Sequence, residues 1–168
     1  MPLPADILVI RLRNELSACR SYIRDMPDLS APSRVRFPVE VEVELAKVPG
    51  PIIEEGKVGS TYLHRFSISI GKNYPFEKPT VRWMSPIFHP NIMMPDDGGH
   101  VCTKLLEEWG FNSTLISFIK GVESLVMNPN PASPFGTDSC TAAAEHFNCA
   151  EVKLPPMLKP PAPRVVRP

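Results

Sequence analysis

Tyr74-Pro75-Phe76-Glu77-Lys78-Pro79, then Phe88-His89-Pro90-Asn91-Ile92, then Cys102, Trp109 and Asn128-Pro129-Asn130-Pro131, follow one another between Asn73 and Phe135. Proline fixes φ and biases the residue before it toward extended backbone, so a stretch punctuated in this way resists regular helix and sheet. The segment reads as a rigid, shaped surface with one thiol inside it and an Asn amide and a His imidazole upstream. Chemically, it sets a nucleophile beside a hydrogen-bond donor.

Working outward, the flanks supply a scaffold. Ile7, Leu8, Ile10, Leu12, Leu16 and Ile23 fall near a helical repeat and predict a first helix, capped by Asp6 and ended by Pro27. Val35, Phe37, Val39, Val41, Val43 and Leu45 alternate with polar residues and predict a strand, with Pro38 near an edge or bulge. Pro49-Gly50-Pro51 reads as a turn, Tyr62 to Ile70 as a second strand, and Thr80 to Met84 as a third. A short fourth strand is expected near Pro86 to Phe88. Ser113 or Thr114 can cap a helix through Ile116 to Val126, stopped by Pro129 and Pro131, and a last helix is expected over Asp138 to Phe147. The expected class is α+β, with an N-terminal helix, a four-stranded antiparallel meander, the proline-rich segment, and C-terminal helices.

Composition narrows the function. A chain of 168 residues suits one domain with a real core, taken as residues 1–150. Residues 151–168 turn basic and proline-rich and are expected to be extended and flexible. A formal net charge of zero gives no bulk field to recruit nucleic acid or an anionic membrane. No apolar run reaches bilayer length, and Met1 to Asp6 lacks a basic leader stretch. Four cysteines without a CxxC fit a reducing, cytoplasmic setting and match no common zinc spacing, so no metal is expected. In Gly56-Lys57-Val58-Gly59-Ser60-Thr61 the lysine is not placed as a phosphate loop requires, so the run reads as a hairpin turn. No machinery to consume ATP is visible, so an activated acyl group has to arrive ready-made.

The ordered motifs resemble the ubiquitin-conjugating enzyme family: a Tyr-Pro-Phe-x-x-Pro turn, His-Pro-Asn, a cysteine, a tryptophan, and Pro-Asn-Pro after a helix. The resemblance covers roughly Ile7 to Phe147. It implies the fold of that family and an acyl transfer through a thioester on Cys102, with no cofactor of its own; ATP is used by the activating enzyme. A ubiquitin-like modifier would pass to Cys102 and then to a substrate lysine, usually with a RING-type ligase. Cys19, Cys140 and Cys149 lack this setting and read as structural.

The resemblance also distributes roles. Asn91 either donates its amide to the oxyanion or holds the loop that does. His89, Pro90 and Trp109 read as support, His89 as a structural ring rather than a base. Many family members place an Asp after Pro-Asn-Pro to help the incoming amine; here Ser133 matches that position, and orientation is its implied role. Asp96, Asp97 or Asp138 are other conceivable sources of charge. Phe76, Phe111 and Asn112 fall on ligase-binding loops, Arg11 and Arg13 on the helix that docks the activating enzyme, and Lys120 and Ser124 on the face toward a bound modifier. Two departures stand out. The loop from Asn91 to Cys102 is a few residues longer than the pattern, and Thr103-Lys104 replaces the common Leu-Asp or Leu-Asn. The competing readings are a non-catalytic binder of ubiquitin or a ligase, and a cysteine hydrolase using His89 or His100 as base.

Overall fold

The computed structural model describes residues 2–149 and 154–158. Helix α1 spans Ala5–Ala18 and buries Leu8, Val9, Leu12 and Leu16. Asp6 lies in its first turn, where a carboxylate favours the helix dipole, and Pro4 occupies the cap position in place of Asp6. The helix stops well before Pro27. Beyond Cys19 the chain pairs with a strand instead: the Glu44 N–H donates to Tyr22 O at 2.8 Å and the Arg24 N–H to Glu42 O at 3.3 Å. Ile23, expected on the helix, is thereby bridged to Val43.

Strand β1 is Val39–Leu45, β2 Gly50–Glu54, β3 Lys57–Thr61, β4 His64–Ile70 and β5 Thr80–Trp83. Strand β1 begins after Pro38, later than expected, because Pro32 starts a short 3-10 turn over Pro32–Arg34 and leaves Val35 and Phe37 outside the ladder. The single meander is also corrected. A three-stranded antiparallel sheet has the order β1-β4-β5, and β2 and β3 form a separate hairpin. Its turn is Glu55-Gly56, both at positive φ, so Gly50-Pro51 opens a strand and Lys57 to Thr61 forms one. Pro86 to Phe88 is not a strand; the Phe88 N–H reaches Pro51 O at 2.8 Å and ties that stretch to the start of β2.

Alternation puts Val39, Val41, Val43 and Leu45 of β1 and His64, Phe66, Ile68 and Ile70 of β4 on the buried face. Phe66 stacks on Trp83 of β5 with centroids 5.5 Å apart and meets Phe118 edge-on at 6.4 Å. Phe118 belongs to α3, Leu115–Met127, whose side chains Leu115, Ile119, Val122 and Val126 complete the same core. Thr114 caps α3 by accepting the Ser117 N–H. A short helix α2, Lys104–Glu107, was not anticipated; α4 covers Asp138–Cys149, with Cys140, Ala143 and Ala144 buried.

Tyr62 Oη donates to Pro156 O at 2.9 Å and the Leu158 N–H to Lys47 O at 2.9 Å, so Leu154 to Leu158 lie against the body. The remainder of the expected flexible tail lies outside the described residues.

Candidate active site

His89-Pro90-Asn91-Ile92 is a hub that gathers four parts of the chain. His89 is buried, its Nε2 2.8 Å from Leu125 O of α3, and its Nδ1 accepts the Asn91 N–H at 3.0 Å. That arrangement is a neutral imidazole with a proton on Nε2. Burial is the main reason its pKa falls from the usual range to about 4. Pro90 O accepts the Phe135 N–H at 3.0 Å, and Ile92 O lies 3.5 Å from Cys140 Sγ of α4. With both ring nitrogens engaged, His89 is not a base for a thiol.

Asn91 is only 3% exposed. Its Nδ2 donates to Asn130 O at 3.0 Å and to Ser133 O at 3.2 Å, and its Oδ1 accepts the Asn130 N–H at 2.8 Å. Both amide hydrogens are therefore used to fasten the Asn130 to Ser133 loop. Of the two roles open from sequence, this geometry is the loop-holding one. The Asn91 backbone serves the thiol more directly, since Asn91 O accepts the Cys102 N–H at 2.9 Å.

The long loop between these residues leaves that pairing intact. Ile92 bridges Val101, and the Met93 N–H reaches His100 O at 2.9 Å, closing the loop at its base. Pro95–Asp97 makes a 3-10 turn, and Gly98 and Gly99 return the chain at positive φ. Gly99 has to lack a side chain: a Cβ there would fall 2.7 Å from Trp83 O, where the backbone is already bound through Trp83 N–H to Gly99 O at 2.8 Å.

Cys102 follows as a partly exposed thiol. It stands between two grooves. One, of about 500 Å³, runs toward α3 and is lined by Asn91, Gly121, Ser124, Asn128 and Ser133. The other, of about 680 Å³, runs toward β5 and is lined by Glu77, Lys78, Thr80, His100 and Phe135. Thr103, Glu107 and Cys102 border both. Thr103 turns the chain into α2 by accepting the Leu105 N–H at 3.2 Å, which brings Glu107 back beside the thiol. Partial burial, and then the Glu107 charge, hold the Cys102 thiol above its ordinary pKa. No hydrogen bond joins His100 to the thiol among the described residues, although His100 lines the β5 groove. The other thiols differ in access. Cys19 and Cys140 are buried, with Cys19 pushed up to about 11 chiefly by burial, while Cys149 is exposed at the end of α4.

Trp109 is half-buried, donates from Nε1 to Pro75 O at 3.1 Å and packs at 5.9 Å from Tyr74. It thereby fixes the Tyr74 to Phe76 turn to the segment after α2. Phe76 and Phe111 are each 51% exposed and lie 5.6 Å apart as an aromatic pair. Asn112, Lys120, Ser124 and Ser133 are exposed. Arg13 is also exposed and donates to Leu29 O at 2.6 Å.

Arg11 lies on α1 and is half-buried. Its guanidinium donates to Phe111 O at 2.7 Å and Ser113 O at 3.1 Å, and its Cζ lies 4.8 Å from the Phe111 ring centroid. From α1 it braces the aromatic loop. Glu15 completes the brace, accepting from Arg11 Nε at 3.0 Å, Tyr74 Oη at 2.8 Å and the Leu115 N–H at 2.9 Å. Glu15 and Glu107 were missed from sequence. The i,i+4 spacing to Arg11 was the only signal for the first, and the second had none. Asp96, Asp97 and Asp138, considered as sources of charge, border neither groove; Glu107 does. Among the described residues no group of three or more His, Cys, Asp or Glu could hold a metal ion.

Comparison with known proteins places this architecture. Residues 29–152 match the family model described as ubiquitin-conjugating enzyme. The chain is similar to the NEDD8-conjugating enzyme UBC12 of Yarrowia lipolytica, 31% identical over 133 residues, covering 74% of this chain and 70% of that protein. It is similar to ubiquitin conjugating enzyme E2 B of Dictyostelium discoideum, 30% identical over 93 residues, covering 55% of this chain and 60% of the relative's length. Among solved structures, S. cerevisiae Ubc12 superposes with a TM-score of 0.60 at 26% identity, covering 89% of this chain and 75% of that one.

Proposed function

This chain belongs to the ubiquitin-conjugating enzyme family, and from that premise we propose that it carries a ubiquitin-like modifier as a thioester on Cys102 and passes it to a lysine amine. The observation that carries the proposal is the position of Cys102: a partly exposed thiol between two grooves, on backbone pinned to the buried Asn91 hub.

In the first step the Cys102 thiolate attacks the carbonyl of the thioester that joins the modifier to its activating enzyme, whose own thiolate leaves. The raised thiol pKa means little thiolate is present at neutral pH, so productive contact with the activating enzyme supplies the rate through proximity. In the second step the lysine amine attacks, the C–N bond forms, and the Cys102 thiolate leaves. Because Asn91 fastens Asn130 and Ser133, it holds the wall of the α3 groove while negative charge develops. The α3 groove, beside Ser124 and leading along the face that bears Lys120, is the course we assign to the modifier's C-terminal tail. The exposed Phe76 and Phe111 pair is the anchor assigned to a RING-type ligase, with Asn112 at its edge. Arg11 and Arg13 on α1 are the cations assigned to the activating enzyme, with Arg13 the more exposed of the two. The chain needs no cofactor in this scheme; ATP is consumed upstream.

Incubation with activating enzyme, ATP and a panel of modifiers tests the proposal. A thiol-sensitive adduct is expected with wild type and is expected to vanish in Cys102→Ala. Binding of a modifier with no adduct would replace this reading with that of a non-catalytic binder.

A further inference from the structure

Two grooves meet at Cys102, and the proposed function uses only the one along α3. Resting on that reading, we infer that the β5 groove receives the acceptor segment and that Glu107 positions the acceptor ammonium beside Cys102.

An acceptor amine has to approach Cys102 from a side the modifier does not fill. The β5 groove is that side, and its lining is peptide-like in chemistry: Val81, Leu106 and Phe135 offer apolar contact, and Glu77, Lys78 and His100 offer polar contact. Glu107 is the acidic residue that borders both grooves. Its neighbour on α2, Lys104, borders only the α3 groove, so an amine entering from β5 meets the carboxylate and not that cation. Lys78 on the opposite wall is accompanied by Glu77, which accepts the Asn73 amide at 2.9 Å.

Ser133 cannot supply charge, as hydroxyls do not ionise near neutral pH. Glu107 can, from a different element. The same charge that draws in an ammonium opposes the thiolate, in keeping with the raised thiol pKa. Glu107 thus favours the second transfer at some cost to the first. The covalent balance is unchanged: C–N forms, C–S breaks, the thiolate leaves, and the amine proton passes to water.

The test uses preformed thioester in single-turnover discharge to free lysine and, in parallel, to hydroxylamine, which is uncharged at neutral pH. In Glu107→Gln the ratio of lysine to hydroxylamine discharge is expected to fall about fivefold, through KM for lysine rather than kcat, as suits a solvent-exposed ion pair. Glu107→Asp is expected to recover most of the ratio. Alkylation of Cys102 by iodoacetamide should shift to lower pH in Glu107→Gln. An unchanged ratio, or parallel loss with both nucleophiles, overturns the assignment of Glu107. Absence of any thioester on wild type overturns the parent reading itself, a failure visible before Glu107 is altered.

Discussion

Asn91 and Phe111 lie on the same platform and are built on opposite terms. The Asn91 and His89 side chains are buried and their polar atoms are all paired: three hydrogen bonds run from Asn91 to Asn130 and Ser133, and His89 joins the hub to α3. Around Phe111 half of the side chain is open to solvent, while Arg11 from α1 holds the backbone and lies over the ring, and Phe76 packs beside it. The first region stores its interactions inside, and losing one leaves buried groups unsatisfied. The second leaves about half of its aromatic surface uncovered by the chain and so available to another molecule. Chemistry is assigned to the region that cannot shift and recognition to the one that has surface to offer.

The sharpest way to break this contrast is Asn91→Ala. It frees the Asn130 to Ser133 wall, and discharge to lysine is expected to fall on the order of 100-fold, as for misplacement of reacting groups. Urea unfolding should show a loss of about 2–3 kcal/mol from the orphaned groups. Retained discharge would mean the hub is not what positions the wall.

Next comes pH. His89 is neutral in the fold with a pKa of about 4, below the ordinary 6.5, so the unfolded chain binds more protons between those values. Stability is complete above pH 6.5 and is expected to drop by up to about 3 kcal/mol as pH falls to 4, with His64, lowered by burial, acting in the same direction. Denaturant titrations across that window check the sign. Smallest in stability is Phe111→Ala, expected to shift unfolding by less than about 0.5 kcal/mol. Ligase-stimulated transfer should nevertheless fall about tenfold, with unstimulated discharge kept, as for an anchor residue. Equal losses in both would place Phe111 with the hub.

How far these features were legible in sequence follows from the range of the interactions that make them. Thr114, the apolar spacing to Val126 and the following prolines marked α3 because its signals are local. The alternation in β1 and β4 was readable for the same reason. A hairpin turn near Gly56 was readable, but strands β2 and β3 were not: Gly50, Pro51 and Gly59 are turn residues by type, and few of their side chains are buried. Helix α2 has only four residues, too short for any period. The Cys102 setting was legible through its ordered motifs. The duty of Arg11 was hidden because its partners lie about a hundred positions away.

Glu15 carries one more consequence. Its side chain is 10% exposed and that of Arg11 20%, so mobile counter-ions have little access to the pair. Dissolved salt screens exposed charges over roughly 10 Å at 0.1 M and buried ones far less. Raising ionic strength therefore weakens whatever long-range attraction Arg13 contributes at the surface, while the aromatic rim keeps its shape.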